Sequence, residues 1–472
     1  MPLLASFMVP HPPLIVPQVG RGGEKEVLKT IASYEKIADE IAAIKPDTII
    51  ITSPHQTMYA DYFHISPGKS AQGSFARFGA PDVKFSEDYD EELVDKICSI
   101  ADEYNLPCGT LGEENPELDH GTMVPLWFIR NKYKGGKIVR IGLSGLPLKD
   151  HYILGMMIAE AVNELGRNAV FVASGDLSHK LQDYGPYGFA KEGPEYDKRI
   201  MDVMGRASFG ELFDFSESFC DKAAECGHRS FVIMAGAWDK RNVSASVFSH
   251  EDVTGVGYGI CSFYPEEGES SDREFLKKYL DKTEKELNEK KEASDIYVRL
   301  ARLSLETFIK SRKTLKIPGD LLKIAKENED TDQLLNSRAG AFVSIHKYGK
   351  LRGCIGTISP CSPNLASEIA RNAISASTRD PRFDPVTEDE LPALEINVDV
   401  LGEPEDIDSK DLLDVKRYGV IVSAKDGRRG LLLPDLDGVD TVDDQVSIAM
   451  QKGGIRPGEK YMLQRFEVVR HI

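Results

Sequence analysis

No run of eighteen consecutive apolar residues occurs among the 472 residues, so nothing in the chain reads as a membrane span. Basic charge is in short supply. Lysine and arginine number 58 against 76 acidic residues, a formal net charge of −18, which argues against general affinity for nucleic acid or an anionic membrane surface. Cysteine is scarce too: seven residues, an odd number without close pairs, read as reduced thiols of a cytoplasmic protein rather than a disulfide framework. The apolar N-terminus lacks a basic leader region and is broken by Pro10, Pro12, Pro13 and Pro17, so it reads as strand and loop, not signal peptide.

What remains is the composition of a water-soluble globular protein, 41% hydrophobic and 28% charged. At this length one core does not suffice, and two or three domains are expected. Histidine is rare but unevenly spread. Eight of the ten lie before residue 265, and three follow apolar, strand-like runs. Leu3 to Val9 leads to His11, Asp47 to Ser53 leads to His55, and Ala169-Val-Phe-Val-Ala-Ser-Gly-Asp-Leu-Ser leads to His179. Continuous apolar runs ending in small polar turns are the mark of parallel strands covered on both faces. Ligands of open α/β sheets collect outside the carboxyl ends of such strands. A single histidine after a strand is ordinarily a loop residue or a satisfied core group. Three at equivalent ends, with His120 in Glu117-Leu-Asp-His-Gly121, argue for a metal, an acid–base pair, or both.

Helical periodicity over Glu24–Ile44 between the first two runs predicts a right-handed βαβ unit. Gln56 to Phe85 is aromatic and loop-like, the expected walls of a pocket, and Tyr184-Gly-Pro-Tyr187 is an aromatic loop after His179. Strands over 137–143, 243–249 and 255–264 and helices over 88–104, 152–165, 194–204 and 231–238 complete a domain of residues 1–264. Composition changes at Pro265. The charge-rich stretch 265–292 reads as a linker helix. Residues 293–472 then combine short strands with helices over 296–310, 363–375 and 442–451, an α+β domain with a mixed sheet. The Arg352-Gly-Cys354-Ile-Gly356 stretch suits close backbone approach and a low-pKa thiol, or equally an ordinary strand and turn.

Two histidines and a carboxylate on one face of a metal form the facial triad of non-haem Fe(II) oxygenases. His11 and His55 are the imidazole candidates. The third ligand falls in the tight Glu225-Cys226-Gly227-His228 turn: Cys226 as a thiolate favoured by the following helix, or Glu225 as a hard oxygen. His179 and His120 are then available as base and as hydrogen-bond donor.

Residues 1–264 resemble the LigB-type class III extradiol dioxygenases, and more narrowly their Memo-like branch, in His11-Pro-Pro, Ser53-Pro-His55, Leu118-Asp-His-Gly-Thr, Ser174-Gly-Asp-Leu-Ser-His179 and Glu225-Cys-Gly-His. The resemblance implies an α/β domain with a mainly parallel central sheet flanked by helices. It also implies Fe(II) held by His11, His55 and a third ligand, with His120 and His179 catalytic. The Memo-like branch implies a cysteine, Cys226, near the third-ligand position, where copper or zinc becomes an alternative to iron. Residues 293–472 are similar to the AMMECR domain in Leu351-Arg-Gly-Cys-Ile-Gly-Thr357 and Ser377-Thr-Arg-Asp-Pro-Arg-Phe-Asp384. The combination resembles the fused protein of the AmmeMemoRadiSam system. It implies either a ring-cleaving oxidoreductase with a small, catecholic substrate, or a metal-binding redox scaffold acting with a radical-SAM protein. Assembly into a homo-oligomer is compatible with either.

Overall fold

Apolar runs without polar alternation need cover on both faces. In the computed structural model, which describes residues 3–327, 329, 331–436 and 438–472, four of them lie side by side. Strands Leu3–Val9 (β1), Thr48–Ser53 (β2), Lys137–Gly142 (β3) and Ala169–Ser174 (β4) are parallel in the order β3-β2-β4-β1. Beyond β1 the sheet turns antiparallel, through Tyr258–Glu269 (β6) and then Arg241–Glu251 (β5). The strands β1 and β2 are therefore not neighbours, as a simple βαβ unit would make them. The later strand β4 is inserted between them, pairing Val9 with Ser174 on one edge and Thr52 with Ala173 on the other.

Helices cover both faces and define two cores. Leu28–Ile44 (α1) and His120–Lys132 (α2) pack Tyr34, Ile37 and Phe128 against Phe7, Ile51 and Val172. On the opposite face Leu148–Glu164 (α3) and His228–Gly236 (α4) pack Tyr152, Leu154 and Phe231 against Met8, Ile50 and Phe171. Every residue of β2 and β4 is buried, as two-sided cover requires. Each such aliphatic or aromatic side chain contributes about 1.5–3 kcal/mol of burial. The stretch 56–85 is less loop-like than expected. Ser70–Phe75 and Ala80–Asp88 form an antiparallel hairpin whose inward residues, Ala71, Phe75, Ala80 and Phe85, are spaced too irregularly to announce a strand pair.

Contacts divide the chain into two units, Met1–Asp281 and Lys282–Ile472. The compositional break at Pro265 falls inside β6, which continues to Glu269 and pairs Pro265 with Val243. The charged helix Phe275–Ala293 (α5) buries none of its residues. In the first unit its start is anchored by Tyr279, whose ring stacks on Phe213 at 4.3 Å.

In the second unit the strands Ala341–Lys347 (β7), Lys350–Gly356 (β8), Leu394–Leu401 (β9), Tyr418–Ala424 (β10), Arg429–Leu432 (β11) and Tyr461–His471 (β12) run in the order β8-β7-β9-β12-β10-β11. The short strand Glu405–Ile407 pairs with β12 off this path. Every pairing described is antiparallel, which corrects the mixed sheet expected above. The linking strand β12 escaped the sequence reading because charged and apolar residues interleave in it irregularly. Helices Ile296–Ser311 (α6), Leu365–Thr378 (α7) and Val442–Lys452 (α8) pack in this unit, with short helices at Gly319–Ile324 and Asp332–Asn336. Among the described residues no helix is long and apolar enough to cross a membrane.

The exposed charged helix sets a first expectation. Limited trypsin digestion should cut first among Lys277 to Lys291, and a fragment ending at Tyr264, which truncates β6, should melt below one ending at Asp281. Equal melting temperatures would show that the end of β6 adds nothing.

Candidate metal centre

The carboxyl ends of β1, β4 and β2 lie side by side, so the residues that follow them converge. His11 is buried, and its backbone N–H donates to Asp176 Oδ1 at 2.8 Å. Its Nδ1 lies 3.0 Å from Ser174 Oγ. The Ser174 hydroxyl donates its one hydrogen to the Gly121 carbonyl at 2.6 Å. Ser174 can therefore only accept from His11, which fixes the proton on Nδ1 and leaves a lone pair on Nε2. That Nε2 points at His55 Nε2, 3.0 Å away, and at Cys226 Sγ, 3.7 Å away.

Donor atoms of His11, His55 and Cys226 all lie within 4.8 Å of one another. Two imidazole nitrogens each about 2.1 Å from one ion at right angles are about 3.0 Å apart, and a sulfur about 2.3 Å out at a tetrahedral angle is about 3.6 Å from such a nitrogen. The spacing fits a first-row metal without rearrangement. Asp176, His179 and Cys226 form a second, overlapping group, also within 4.8 Å. Asp176 Oδ2 is 3.9 Å from both His11 Nε2 and His179 Nε2.

The turn carrying Cys226 reaches the strand ends through a contact between backbones. A Cβ on Gly175 would lie 2.1 Å from Gly227 Cα, so neither loop tolerates a side chain there. The approach is sealed by two weak bonds: the Asp176 N–H donates to Cys226 Sγ at 3.3 Å, and the Cys226 N–H donates to the Asp176 carbonyl at 3.4 Å. Glu225 takes no place in either donor group. Its carboxylate accepts the His228 N–H at 2.6 Å at the start of α4, where an acceptor satisfies a free helix amide. Of the two third-ligand candidates, the structure brings Cys226 to the histidines and turns Glu225 away.

His120 opens α2, where Asp119 caps the helix by accepting from the Thr122 N–H at 3.1 Å. Asp119 also accepts from Ser53 Oγ at 2.5 Å, and Ser53 in turn accepts the His55 N–H at 3.2 Å. One carboxylate thus ties the His120 and His55 loops together. Their rings lie 3.9 Å apart, and Phe78, from the hairpin of the expected pocket wall, meets His120 edge-on at 5.3 Å. His179 stacks on Tyr187 of the aromatic loop at 5.0 Å, and its buried Nε2 has no hydrogen-bond partner among the described residues.

Desolvation governs the protonation of this cluster, although His55 is itself exposed. It holds His11 well below the ordinary histidine value, lowers His55 and His179, and pushes His120 down to about 3 with help from the neighbouring His55 and His11. All four are neutral near pH 7, the form that offers lone pairs. Burial also raises the Cys226 thiol well above its usual range, reinforced by Asp176 and Glu225, and lifts Glu225 to about 7 and Asp176 above its usual range. A cation is what this set of neutral imidazoles, a thiol and a carboxyl would best accommodate. Asp176 was overlooked in the sequence although it stands in the same turn as His179, and Ser174, Ser53 and Asp119 were overlooked as supports. A separate cavity of about 990 Å³ lies at the far end of the sheet, by Pro46, Asp47 and Lys137, and contains none of these histidines.

Comparison with known proteins bears on this geometry. The family described as the catalytic LigB subunit of aromatic ring-opening dioxygenase matches residues 5–261, and the AMMECR1 family matches residues 298–471. A protein of Clostridium acetobutylicum is 40% identical over 100% of this chain and 99% of its own length. A Thermotoga maritima protein is 45% identical over 37% of this chain and 96% of its own. The 2-aminophenol 1,6-dioxygenase beta subunit of a Pseudomonas species is 26% identical over 55% of this chain and 93% of its own.

Two outcomes are expected here. Ser174→Ala should release the His11 tautomer and weaken metal binding about 10–100-fold with the fold retained, measured by competition with a chelator. In metal-free protein, the histidines with lowered values stay neutral when folded but take up protons when unfolded as pH falls below about 6.5. Through these histidines the unfolded chain then binds more protons, so the melting temperature should drop between about pH 6.5 and 4.5, opposed in part by Glu225, Asp176, Asp197, Asp239 and His250, which hold protons more tightly in the folded chain. A flat profile would mean the cluster is not desolvated.

Proposed function

The chain belongs to the LigB family through its first unit and carries an AMMECR1 unit behind it, and from that premise we propose that it is a non-haem Fe(II)-dependent oxidoreductase of the extradiol type. The substrate class is a small catechol or aminophenol. The observation that carries the reading is the convergence of His11, His55 and Cys226 donor atoms beside Asp176 and beside His179, whose Nε2 has no hydrogen-bond partner among the described residues. When bound, ferrous iron supplies the redox chemistry toward dioxygen. The chain's own part is proton handling and positioning. His179, neutral at pH 7, takes a proton from the substrate hydroxyl at Nε2, and Asp176 3.9 Å away stabilises the imidazolium formed. His120 offers an N–H to the oxygen that gains charge. Phe78 and Tyr187 flank this space and favour a planar ring. Seven free cysteines fit a cytoplasmic setting.

Cys226 favours a second reading. A thiolate donor is softer than a carboxylate, suits copper or zinc as well as iron, and is itself open to oxidation. On this reading the first unit is a Memo-like metal-binding redox scaffold that serves a radical-SAM partner without cleaving rings.

The readings separate on metal content and turnover. Anaerobically purified protein should hold close to one transition metal per chain, and His11→Ala or His55→Ala should remove most of it. Cys226→Ala should cost at least about tenfold in Fe(II) and Cu(I) affinity, whereas Glu225→Ala should leave affinity intact and lower stability by about 1 kcal/mol through the lost helix-end acceptor. Cleavage of catechol or 2-aminophenol by the iron form supports the oxygenase. Tight metal binding with no cleavage supports the scaffold, and full metal content in both histidine variants overturns the centre itself.

A further inference from the structure

Helices α6 and α7 of the second unit touch at Ser304 and Ala370, where the fully buried Ser304 hydroxyl donates to the Ala370 carbonyl at 2.7 Å. Beside this crossing the two helices and the segment 314–317 line a cavity of about 600 Å³, within the range that takes small organic ligands. Its lining divides by chemistry. Phe308, Leu315 and Ile374 give it an apolar side. Lys316, Arg371 and Arg379 bring three cations, and Ser367 and Ser375 add hydroxyls. Among the described residues no aspartate or glutamate lines it, although acids outnumber bases 76 to 58 in the chain.

The arrangement on α7 is regular. Ser367, Arg371 and Ser375 recur every four residues and so share a face, and Arg379 continues the row one step beyond the helix. Arg379 belongs to the Ser377–Asp384 stretch that the sequence singled out and that the metal centre does not use. Neither guanidinium has a carboxylate partner among the described residues. The acids next along the chain are engaged elsewhere. Asp320 holds Lys323 Nζ and the Lys316 N–H, each at 2.7 Å. Asp380 holds Arg382 at 2.7 Å and the Cys354 N–H at 2.8 Å.

Three like charges gathered on one cavity, the two guanidiniums without a carboxylate partner among the described residues, repel one another, and a multiply charged anion relieves that repulsion. Guanidinium forks match the oxygens of a phosphate in pairs. A bare oxyanion would leave the apolar side wet, whereas an aromatic or aliphatic body would cover it. We propose that this cavity binds a small organic phosphate, its phosphoryl group on Arg371, Arg379 and Lys316 and its apolar body against Phe308 and Ile374. The site lies within the second unit and is independent of the metal centre.

Phenyl phosphate and inorganic phosphate, titrated separately into the full chain by calorimetry, test this. Phenyl phosphate should bind saturably and at least tenfold more tightly than inorganic phosphate. The double variant R371E/R379E should lose at least tenfold in that affinity, and F308A should narrow the gap between the two probes. Both arginines are exposed, so the fold should survive charge reversal. If the melting temperature falls, R371Q/R379Q replaces the double variant. Binding should be unchanged in His11→Ala, which keeps this outcome separate from that of the metal centre. No saturable phenyl phosphate binding, equal affinity for the two probes, or affinity indifferent to both arginine variants would overturn the proposal.

Discussion

Parallel pairing along both edges of Ala169–Ser174 sets the position of everything at the candidate centre. The strand's register places Ser174 level with Val9 on one side and Ala173 level with Thr52 on the other, so His11, Asp176 and His55 leave the sheet at nearly one height. A slip of one residue along either edge would reverse which side chains face which core, and with both faces buried that is prohibitively unfavourable. The apolar packing of Phe171 and Val172 on opposite faces thus holds the geometry of polar atoms several residues further on. Precision at the donor atoms is inherited from the sheet.

Polar groups taken into this depth have to be matched, because each buried unpaired donor or acceptor costs about 1–3 kcal/mol. The chain solves this with short relays that begin on one loop and end on another. Gly121 to Ser174 to His11 is one, and Asp119 to Ser53 to the His55 backbone is a second. Both relays run through α2, whose first residue is His120, so the helix that covers one face of the sheet also orients the imidazoles at its end. Beside these relays the buried His179 Nε2 has no hydrogen-bond partner among the described residues.

The strand ends were legible because a two-sided parallel strand writes an uninterrupted apolar run, and a histidine directly after it has few places to go. His11, His55 and His179 stand out this way, and His120 through its place in the turn Glu117-Leu-Asp-His-Gly121. The insertion of β4 between β1 and β2 was not legible, since strand order is decided by which faces are covered and not by local pattern. The local pattern left Glu225 and Cys226 open, and only the family resemblance favoured Cys226. Adjacent residues in a tight turn point in different directions, and only the contact between Gly175 and Gly227 decides which of them faces inward. In the second unit the short strands were readable from local apolar runs, whereas β12, with its interleaved charges, became a strand only through pairing with β9 and β10.

The place of β1 inside the sheet carries a consequence for synthesis. Its two neighbours, β4 and β6, lie some 160 and 250 residues downstream, and Ser6 finds its partner only when Phe263 is available. As the chain leaves the ribosome, β1 emerges before both of its neighbours, and it is apolar with two open edges until β4 is made and one until β6 follows. Exposed edges of that kind invite pairing with other nascent chains. The prolines at 10, 12, 13 and 17 directly after it withhold backbone donors and limit how far such mispairing can spread. The same residues that end the strand beside His11 thus guard it until the rest of the unit has been made.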